Sequence, residues 1–484
     1  MANAYDLVRY PNIPLSRTHP AALGVFAALF GRPFAPFAAC RVLEIGCGEG
    51  VNLLNMALGA PASEFVGVDL AEQPIALARK AALAMGLANA RFHVQDIVEM
   101  GGELGSFDYI IAHGVYAWVP PSVREALMRV AGALLRPEGV AFISYNAFPG
   151  AAIRQVLRDL LLGATQQIDD PSEKLRIARA VLAYQIENGA QAEPLQQAMV
   201  AAARKMLERP PEVLFHDELT ECFAPQWLSD VVAAARAAGL DYLCDAQPAL
   251  SAEALFPTQK FAAARAFTDG DWARFEQIED FSVMRAFRHS IFCRGGPIDR
   301  RLEARRLRGL WASGQLQAVE AKSEAADAFA FRAGASANIT TNDANLARFL
   351  ARVGAAFPSA LALDEAADDP DLAVQILRLF VAKVLRLSAA AFSFTLTPGD
   401  RPMVSPLARF QAERGEKTLA SLRHGSIEIE DSATRLFVAL LDGTRTRDDL
   451  ARELAARTGV TPQAALTQVS AALEQMARLG LMMG

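Results

Sequence analysis

The sequence has little of what marks several protein classes. Its 484 residues include only five cysteines, scattered and without a C-x-x-C pair, so neither a zinc site nor a disulfide framework is indicated. No uninterrupted apolar run reaches the length of a membrane span, so we expect no membrane insertion. The net charge of −6 gives no electrostatic support for a nucleic-acid partner. We therefore expect no metal, membrane or nucleic acid in its function.

The N-terminus also lacks the basic and apolar regions of a signal peptide, and we therefore predict a cytoplasmic protein. The composition, 52% hydrophobic and 21% charged, is typical of globular chains. The length predicts two or three domains, which we place at residues 1–149, 150–295 and 296–484.

Residues 1–150 alternate strand patterns with helical patterns. The predicted strands are Arg41–Ile45, Glu64–Asp69, Ala90–Gln95, Phe107–Ala112 and Gly139–Tyr145, and the predicted helices are Val51–Leu58, Gln73–Met85 and Val123–Leu135. Such alternation predicts an α/β fold with a parallel sheet and right-handed crossovers. Ligands of these sheets bind beyond the carboxyl ends of the strands.

The first strand ends in a loop with glycine at every second position, Glu44-Ile45-Gly46-Cys47-Gly48-Glu49-Gly50. Residues without a Cβ let the backbone pass close to a ligand. The dinucleotide fingerprint G-x-G-x-x-G would need a glycine where the chain has Val51, and no lysine follows as in a P-loop. The spacing E-x-G-x-G-x-G resembles motif I of the class I S-adenosylmethionine (SAM) methyltransferases.

Acidic residues end the next two strands. Asp69 can accept hydrogen bonds from both ribose hydroxyls of a nucleoside cofactor, or it is a helix N-cap before Gln73–Met85. Asp96 can accept the adenine amino group while Ile97 packs on the ring, or it is a turn aspartate. Glu44 can hold the methionine amino group. The predicted cofactor-binding residues are Glu44, Gly46, Cys47, Gly48, Gly50, Asp69, Leu70, Asp96, Ile97 and His113.

The end of the fourth strand is where methyltransferases place residues beside the transferred methyl group. The sequence there lacks the N-P-P-Y or D-P-P-Y motif of amide and base N-methyltransferases. Histidine and tyrosine at this place can orient a proton and flank a cationic nucleophile, although the histidine can also merely cap the strand. The predicted catalytic residues are His113, Tyr116, Tyr145 and Asn146, and His216-Asp217 is a weaker candidate.

The N-terminal arm precedes this sheet. It contains Tyr5, Tyr10 and Ser16-Arg17-Thr18-His19-Pro20, and can close over a bound cofactor or be a plain surface segment.

Together with these motifs, further segments give the chain a family resemblance. They are Cys40–Gly48, Phe65–Asp69, His113–Pro120, Ile143–Asn146, Ala238–Leu243 and Phe287–Cys293. The chain resembles a bacterial group of class I methyltransferases with a methyltransferase regulatory domain, well over the first 295 residues and loosely beyond. That group includes the rickettsial protein-lysine methyltransferases that modify outer-membrane protein B. The resemblance implies a SAM-binding core, a helical middle insertion, a C-terminal module, a homodimer and, less directly, lysine N-methylation of a protein.

The class I fold implies a seven-stranded, Rossmann-like sheet whose last strand is antiparallel. We assign strands six and seven to Asp241–Cys244 and His289–Cys293, so that residues 150–225 and 247–288 become helical insertions over the ligand edge. The run Arg300–Arg308 is predicted to be the solvated face of a linker helix, or a basic patch. A weak duplication of residues 348–387 in residues 435–481 predicts two winged-helix-like modules in an α-rich C-terminal region.

Three functions stay open at this point. The first is a protein-lysine N-methyltransferase, the second a methyltransferase for small molecules or natural products, and the third a non-enzymatic SAM-sensing regulator. A basic face on residues 435–481 would favour the third, but the arginines there are balanced by Asp442, Asp448, Asp449 and Glu453.

Overall fold

The computed structural model describes residues 9–10, 12–189, 193–250, 252–256, 258–301, 303–320, 328–334 and 337–484. A seven-stranded sheet forms its centre. The strands are β1 (Arg41–Ile45), β2 (Glu64–Asp69), β3 (Ala90–Val94), β4 (Phe107–Ala112), β5 (Leu135–Asn146), β6 (Leu240–Asp245) and β7 (Phe287–Arg294).

The strand order in this sheet is β3-β2-β1-β4-β5-β7-β6. The first five strands are parallel, and β7 is antiparallel to both of its neighbours. This confirms the predicted class I sheet. The fifth strand begins at Leu135, not at Gly139, because four residues of β5 bulge between its pairings with Phe107 and Tyr109.

Helices cover both faces of the sheet, and β1 and β4 are therefore almost wholly buried. Helices Pro20–Leu29, Val51–Gly59 and Glu72–Ala84 contribute to the core on one face. Helices Pro121–Leu134 and Leu228–Ala237 contribute to the core on the other face. All of these helices except Pro20–Leu29, which precedes β1, connect successive strands. Because β1 to β5 are parallel, their carboxyl ends meet at one edge of the sheet.

The middle of the chain forms the predicted helical insertions. Their helices are Ala151–Thr165, Pro171–Asn188, Pro194–Leu207, Pro211–Glu218, Ala252–Leu255, Gln259–Thr268 and Trp272–Ser282. The amide of Gln226 donates to the carbonyl of Asn146 (2.9 Å), and that of Ala224 donates to Ala117 (2.8 Å). The segment that follows the first insertion therefore lies against the ends of β4 and β5.

The C-terminal third contains small sheets and helices. Its strands are Trp311–Ser313, Leu316–Val319, Phe329–Ala333, Ala337–Thr341, Leu361–Ala362, Arg386–Ser388, Thr418–Ser421 and Gly425–Glu428, and its helices are Ala344–Ala356, Pro370–Val381, Pro406–Glu413, Ser432–Leu440, Arg447–Thr458 and Pro462–Arg478. Residues 404–482 have a hydrophobic core of their own. Residues 307–387 share the core that continues under the first face of the large sheet.

Two predictions for this region are wrong. The duplication predicts a helix at Leu363–Ala367 that corresponds to Arg447–Ala455. The first segment contains only part of a 3₁₀ turn, Ala366–Asp368, whereas the second lies in helix Arg447–Thr458. The two modules therefore differ more in structure than the duplication predicts. The linker helix at Arg300–Arg308 is likewise one 3₁₀ turn, Ala304–Leu307. Arg300 instead lies over the rings of Phe30 and Trp272. Its guanidinium is used inside the fold and not on a solvated helix face.

Within the described ranges, no helix is both long and apolar enough to cross a membrane. The same residues contain no group of three histidine, cysteine or acidic side chains that could hold a metal ion. All five cysteines are free thiols.

Candidate functional site

The glycine loop lies between β1 and helix Val51–Gly59. Gly46 and Gly48 have φ of +73° and +53°, which side chains other than glycine rarely adopt. A Cβ at Gly46 would come within 2.5 Å of a Val115 methyl group, and one at Gly48 within 2.5 Å of the Asn12 amide nitrogen. The loop is thus held between the chain that follows β4 and the N-terminal arm.

Asp69 supports this loop from the end of β2. Its Oδ2 accepts the amide hydrogen of Gly48 (2.8 Å), and its Oδ1 accepts that of Ala71 (2.9 Å). The next helix begins at Glu72 with Ala71 as its N-cap. The alternative interpretation of Asp69 as the helix N-cap is therefore wrong, and the carboxylate stands beside the glycine loop.

The other predicted cofactor residues differ in how far their side chains are exposed. Leu70 is 59% exposed, so its side chain is available to a ligand, whereas Ile97 is buried in the core. Asp96 Oδ1 accepts the amide hydrogen of Val98 (2.8 Å), which is the local bond of a turn aspartate. The thiol of Cys47 is buried among core residues, and this burial raises its pKa.

Glu44 is the buried acid of the site. Its Oε1 accepts a hydrogen bond from Asn52 Nδ2 (2.9 Å), while its Oε2 is buried without a hydrogen-bond partner. Burial raises the pKa of this carboxyl to about 8. A buried carboxylate oxygen without a partner is costly, and a cationic ligand group would satisfy it.

Asn52 connects Glu44 to distant parts of the chain. Its Nδ2 also donates to Thr18 Oγ1 (3.0 Å), and its Oδ1 accepts from the amide of Leu15 (2.9 Å) and from His424 Nε2 (2.8 Å). One side chain therefore joins β1, the N-terminal arm and the C-terminal region. The sequence analysis missed Asn52, although an asparagine among the apolar residues of helix Val51–Gly59 is a signal for a buried polar role.

The N-terminal arm closes over the glycine loop. Arg9 donates to Glu49 Oε2 (2.7 Å) and to Glu416 (2.8 Å). Thr18 and His19 are buried, which rules out a plain surface segment for this part. Tyr10 contacts the ring of His216 and donates to Asp217 (3.4 Å), while Tyr5 lies outside the described residues.

The other half of the ligand edge is formed by β4, β5 and β7. His113 Nδ1 lies 2.9 Å from Ser144 Oγ, and its ring stacks on His289 with centroids 6.2 Å apart. Burial, and next the charge of Arg17, lower the pKa of His113 to about 4, and the same causes lower that of His289 to about 3. Both imidazoles are neutral at pH 7. Nothing in the β7 sequence pattern had indicated His289.

The two tyrosines lie deeper than His113. Tyr116 and Tyr145 are buried in the core, with ring centroids 6.0 Å apart. Tyr145 hydrogen bonds to Ser290 (3.0 Å). Burial raises the pKa of Tyr116 to about 12 and also raises that of Tyr145. Both phenols keep their protons at neutral pH, so neither is a general base.

Asn146 ends β5 beside these groups. It is buried, and its Oδ1 has no hydrogen-bond partner. An orphaned amide oxygen at a ligand edge is suited to accept a hydrogen bond from a bound molecule. The weaker candidates differ: His216 is buried, and Asp217 pairs with Arg154 (3.1 Å) and Arg209 (3.0 Å).

These residues fit the nucleoside cofactor that the family resemblance implies. The glycine loop brings its backbone to the edge, Asp69 and Asp96 offer carboxylates beyond β2 and β3, and Glu44 has an unsatisfied buried oxygen. SAM carries an ammonium and a positively charged sulfur, so three acids at this half of the edge match its charge.

Three family models match the chain. One described as a methyltransferase domain matches residues 36–201, one described as a predicted methyltransferase regulatory domain matches residues 210–294, and one described as the PKMT C-terminal winged helix domain matches residues 400–481.

Curated relatives occur in Rickettsia prowazekii. The chain is 32% identical to the uncharacterized protein RP789 over 292 residues, which is 60% of the chain and 52% of that relative. It is 36% identical to the uncharacterized protein RP028 over 181 residues, which is 37% of the chain and 72% of that relative. The chain thus spans about half the length of RP789 and most of RP028.

The fold matches a solved structure over nearly its whole length. PKMT2 from Rickettsia typhi superposes with a TM-score of 0.83 at 24% identity, covering 98% of this chain and all of that one. The same protein in complex with AdoHcy gives a TM-score of 0.84. At this identity the likeness shows the fold.

Proposed function

Because the chain belongs to the SAM-dependent methyltransferases with a methyltransferase regulatory domain, we propose that it methylates the side-chain amine of a lysine in a protein. The observation that carries the proposal is the match of residues 400–481 to the PKMT C-terminal winged helix domain, which agrees with the resemblance to the rickettsial protein-lysine methyltransferases. That domain reaches the cofactor half of the site through the bond between His424 and Asn52.

The cofactor residues have separable tasks in this proposal. When bound, SAM supplies a methyl group on a positively charged sulfur. Glu44 would hold its ammonium, Asp69 its ribose hydroxyls and Asp96 its adenine amino group. The glycine loop lets the backbone approach, and the N-terminal arm excludes water above the loop. Alignment and exclusion of water are what methyl transfer asks of the protein.

The acceptor half favours an amine that loses its proton. A lysine ammonium must become neutral before it can act as a nucleophile. Burial and the charge of Arg17 lower the pKa of His113, and the same environment would lower the pKa of an approaching lysine. His113 is neutral, so it can accept a hydrogen bond from the amine and relay the amine's proton to water, and we assign it this role.

Asn146 and the two tyrosines complete the proposed acceptor side. Asn146 Oδ1 would accept a hydrogen bond from the amine and orient it along the transfer direction. Tyr116 and Tyr145, buried behind the edge, would form its aromatic wall, which suits a methylated amine that stays cationic after reaction.

The test is to incubate the purified protein and labelled SAM with a lysate of its own host, digest the proteins and locate the label. We expect label on lysine side chains of a protein, and none with the Asp69→Ala variant. Label confined to metabolites would overturn the lysine proposal in favour of a small-molecule methyltransferase.

We also propose a cytoplasmic homodimer; the family resemblance implies the dimer. Sedimentation velocity at micromolar concentration should give about twice the 52.1 kDa of one chain. A single species at the mass of one chain would contradict the dimer.

A further inference from the structure

A cavity lies between the winged helix domain and the small sheets before it. Its volume is about 930 Å³, and all its lining residues fall between Gln315 and Leu479. That volume is within the range of small-ligand pockets. We call this cavity the arginine cleft.

The charge of the arginine cleft is strongly positive. Four arginines line it, and Glu474 is the only carboxylate among its described lining residues. Two of the four have partners: Arg478 lies 4.0 Å from Glu474, and Arg447 donates to the carbonyls of Pro398 and Gly399. The other two are Arg386 and Arg423.

Arg386 and Arg423 lack an acidic partner. Each is half-buried and faces an aromatic ring, Phe392 at 5.6 Å and Phe357 at 4.8 Å from the guanidinium carbon. Across the described residues, neither makes an ion pair. Burial, and next the charge of Arg423, lower the pKa of Arg386 to about 10, and burial lowers that of Arg423.

Arg288 shows how the protein stabilises another buried arginine. Arg288 is buried under β7 and pairs with Asp280 (2.7 Å) and Glu276 (2.8 Å). Burying a charge without such a partner is unfavourable. Two neighbouring guanidinium groups that repel each other inside one cavity therefore indicate an anion that is bound in the working protein.

The remaining lining residues narrow the class of that anion. Their neutral donors are Gln315, Thr397, Ser421, Ser426 and Ser470, and no lysine is among them. Arginine binds phosphate oxygens through two parallel hydrogen bonds, and hydroxyl groups supply further donors. A cavity with paired arginines and several hydroxyl donors suits a small molecule with several phosphate oxygens better than an extended acidic peptide.

We propose that the arginine cleft binds a small phosphate-bearing polyanion, with Arg386 and Arg423 as its principal contacts. This site is separate from the methyl-transfer edge, because none of its lining residues belongs to the large sheet. It does not depend on the identity of the methyl acceptor.

The experiment uses the full chain and sodium pyrophosphate as the probe, at constant ionic strength so that screening stays fixed. Calorimetry should show saturable binding to wild type. Arg423→Gln and Arg386→Gln should each weaken it about tenfold or more, since each removes a charge-assisted contact. The matched control is Arg348→Gln, an exposed arginine outside the cleft, which should bind like wild type. Excess SAM should not displace pyrophosphate.

Thermal unfolding supplies a second readout. An arginine that binds an anion is unfavourable in the free protein, because its charge is then buried without a partner. Without pyrophosphate, Arg386→Gln should therefore unfold at the same temperature as wild type or higher. With pyrophosphate, the variant should lose most of the stabilisation that wild type gains. If Arg423→Gln fails to fold, Arg423→Lys decides, because it keeps the charge but loses the paired hydrogen bonds and should bind several-fold more weakly.

Several results would overturn the proposal. They are no pyrophosphate binding at millimolar concentration, equal affinity in the Arg423 and Arg348 variants, displacement by SAM, and tight binding of hexaglutamate in place of pyrophosphate. A lower unfolding temperature of Arg386→Gln with intact pyrophosphate binding would likewise make the arginine a structural residue.

Discussion

The two halves of the ligand edge differ in charge. The ends of β1, β2 and β3 carry Glu44, Asp69 and Asp96, which are acids. The ends of β4 and β5 and the start of β7 carry two neutral histidines and Asn146, with Arg17 as the nearby charge. In the proposed function the acidic half would stabilise a cationic cofactor, whereas the other half would disfavour a cationic acceptor. A single sheet edge can thus attract one cation and promote deprotonation of another.

The largest expected effect comes from the neutral half. His113→Ala should lower kcat on the order of 10²-fold, the usual contribution of a positioned acid or base, while SAM affinity stays near wild type. Single-turnover kinetics and calorimetry measure the two quantities. His93→Ala on β3 is the matched control and should keep its turnover. Equal kcat in both variants would remove His113 from the proton-transfer role.

The next effect concerns the acidic half. Asp69→Ala should remove charge-assisted hydrogen bonds worth about 1.5–3 kcal/mol, roughly ten- to over a hundredfold in SAM affinity. The exposed Glu72, three positions later, is the control, and Glu72→Ala should bind SAM normally. Calorimetry that finds unchanged affinity in the Asp69 variant would refute the assignment.

Proton release on SAM binding tests the role of Glu44. With a pKa of about 8, this carboxyl is mostly protonated in the free protein at pH 7, and an ammonium bound beside it favours the ionised form. SAM binding should therefore release close to one proton at pH 7. Calorimetry in buffers of different ionisation enthalpy measures this release, and Glu44→Gln should abolish it. Release that persists in the variant would mean another group titrates.

The smallest expected effect is on folding stability, and it comes from His424, the buried histidine of the winged helix domain. Burial lowers the pKa of His424 from 6.5 to about 3. Between these two pH values the unfolded chain binds a proton at this histidine and the folded chain does not. Stability is therefore lost as pH falls below about 6.5, by about 2 kcal/mol per such histidine between pH 7 and pH 5. Denaturant unfolding at both pH values should show a smaller pH dependence in His424→Gln. An unchanged dependence would place the titration elsewhere.

Local patterns predicted the sheet well because each strand is set by its own apolar residues and by the helix that follows. The glycine loop and Asp69 could be predicted for the same reason: their spacing lies within one β-α-β unit. Asn52 and His424 could not be paired, since they are 372 positions apart and neither has a motif of its own. The helix predicted at Arg300–Arg308 was wrong because charge alone does not show that aromatic rings and carbonyls inside the fold contact the guanidinium groups of Arg300 and Arg306.

The bond between Asn52 and His424 has a consequence for how such chains can evolve. Helix Val51–Gly59 presents Asn52 and Asn55 to the turn of the 418–428 hairpin, where Asn55 Nδ2 bonds the carbonyl of Ser421 (2.9 Å). A lineage that lost residues 400–481 or exchanged them for another domain would leave both asparagines facing a void or solvent. Recombination at this boundary should therefore be accompanied by replacements at positions 52 and 55. Positions 52, 55 and 424 should vary together among relatives. The cofactor sheet and the winged helix domain should therefore evolve together.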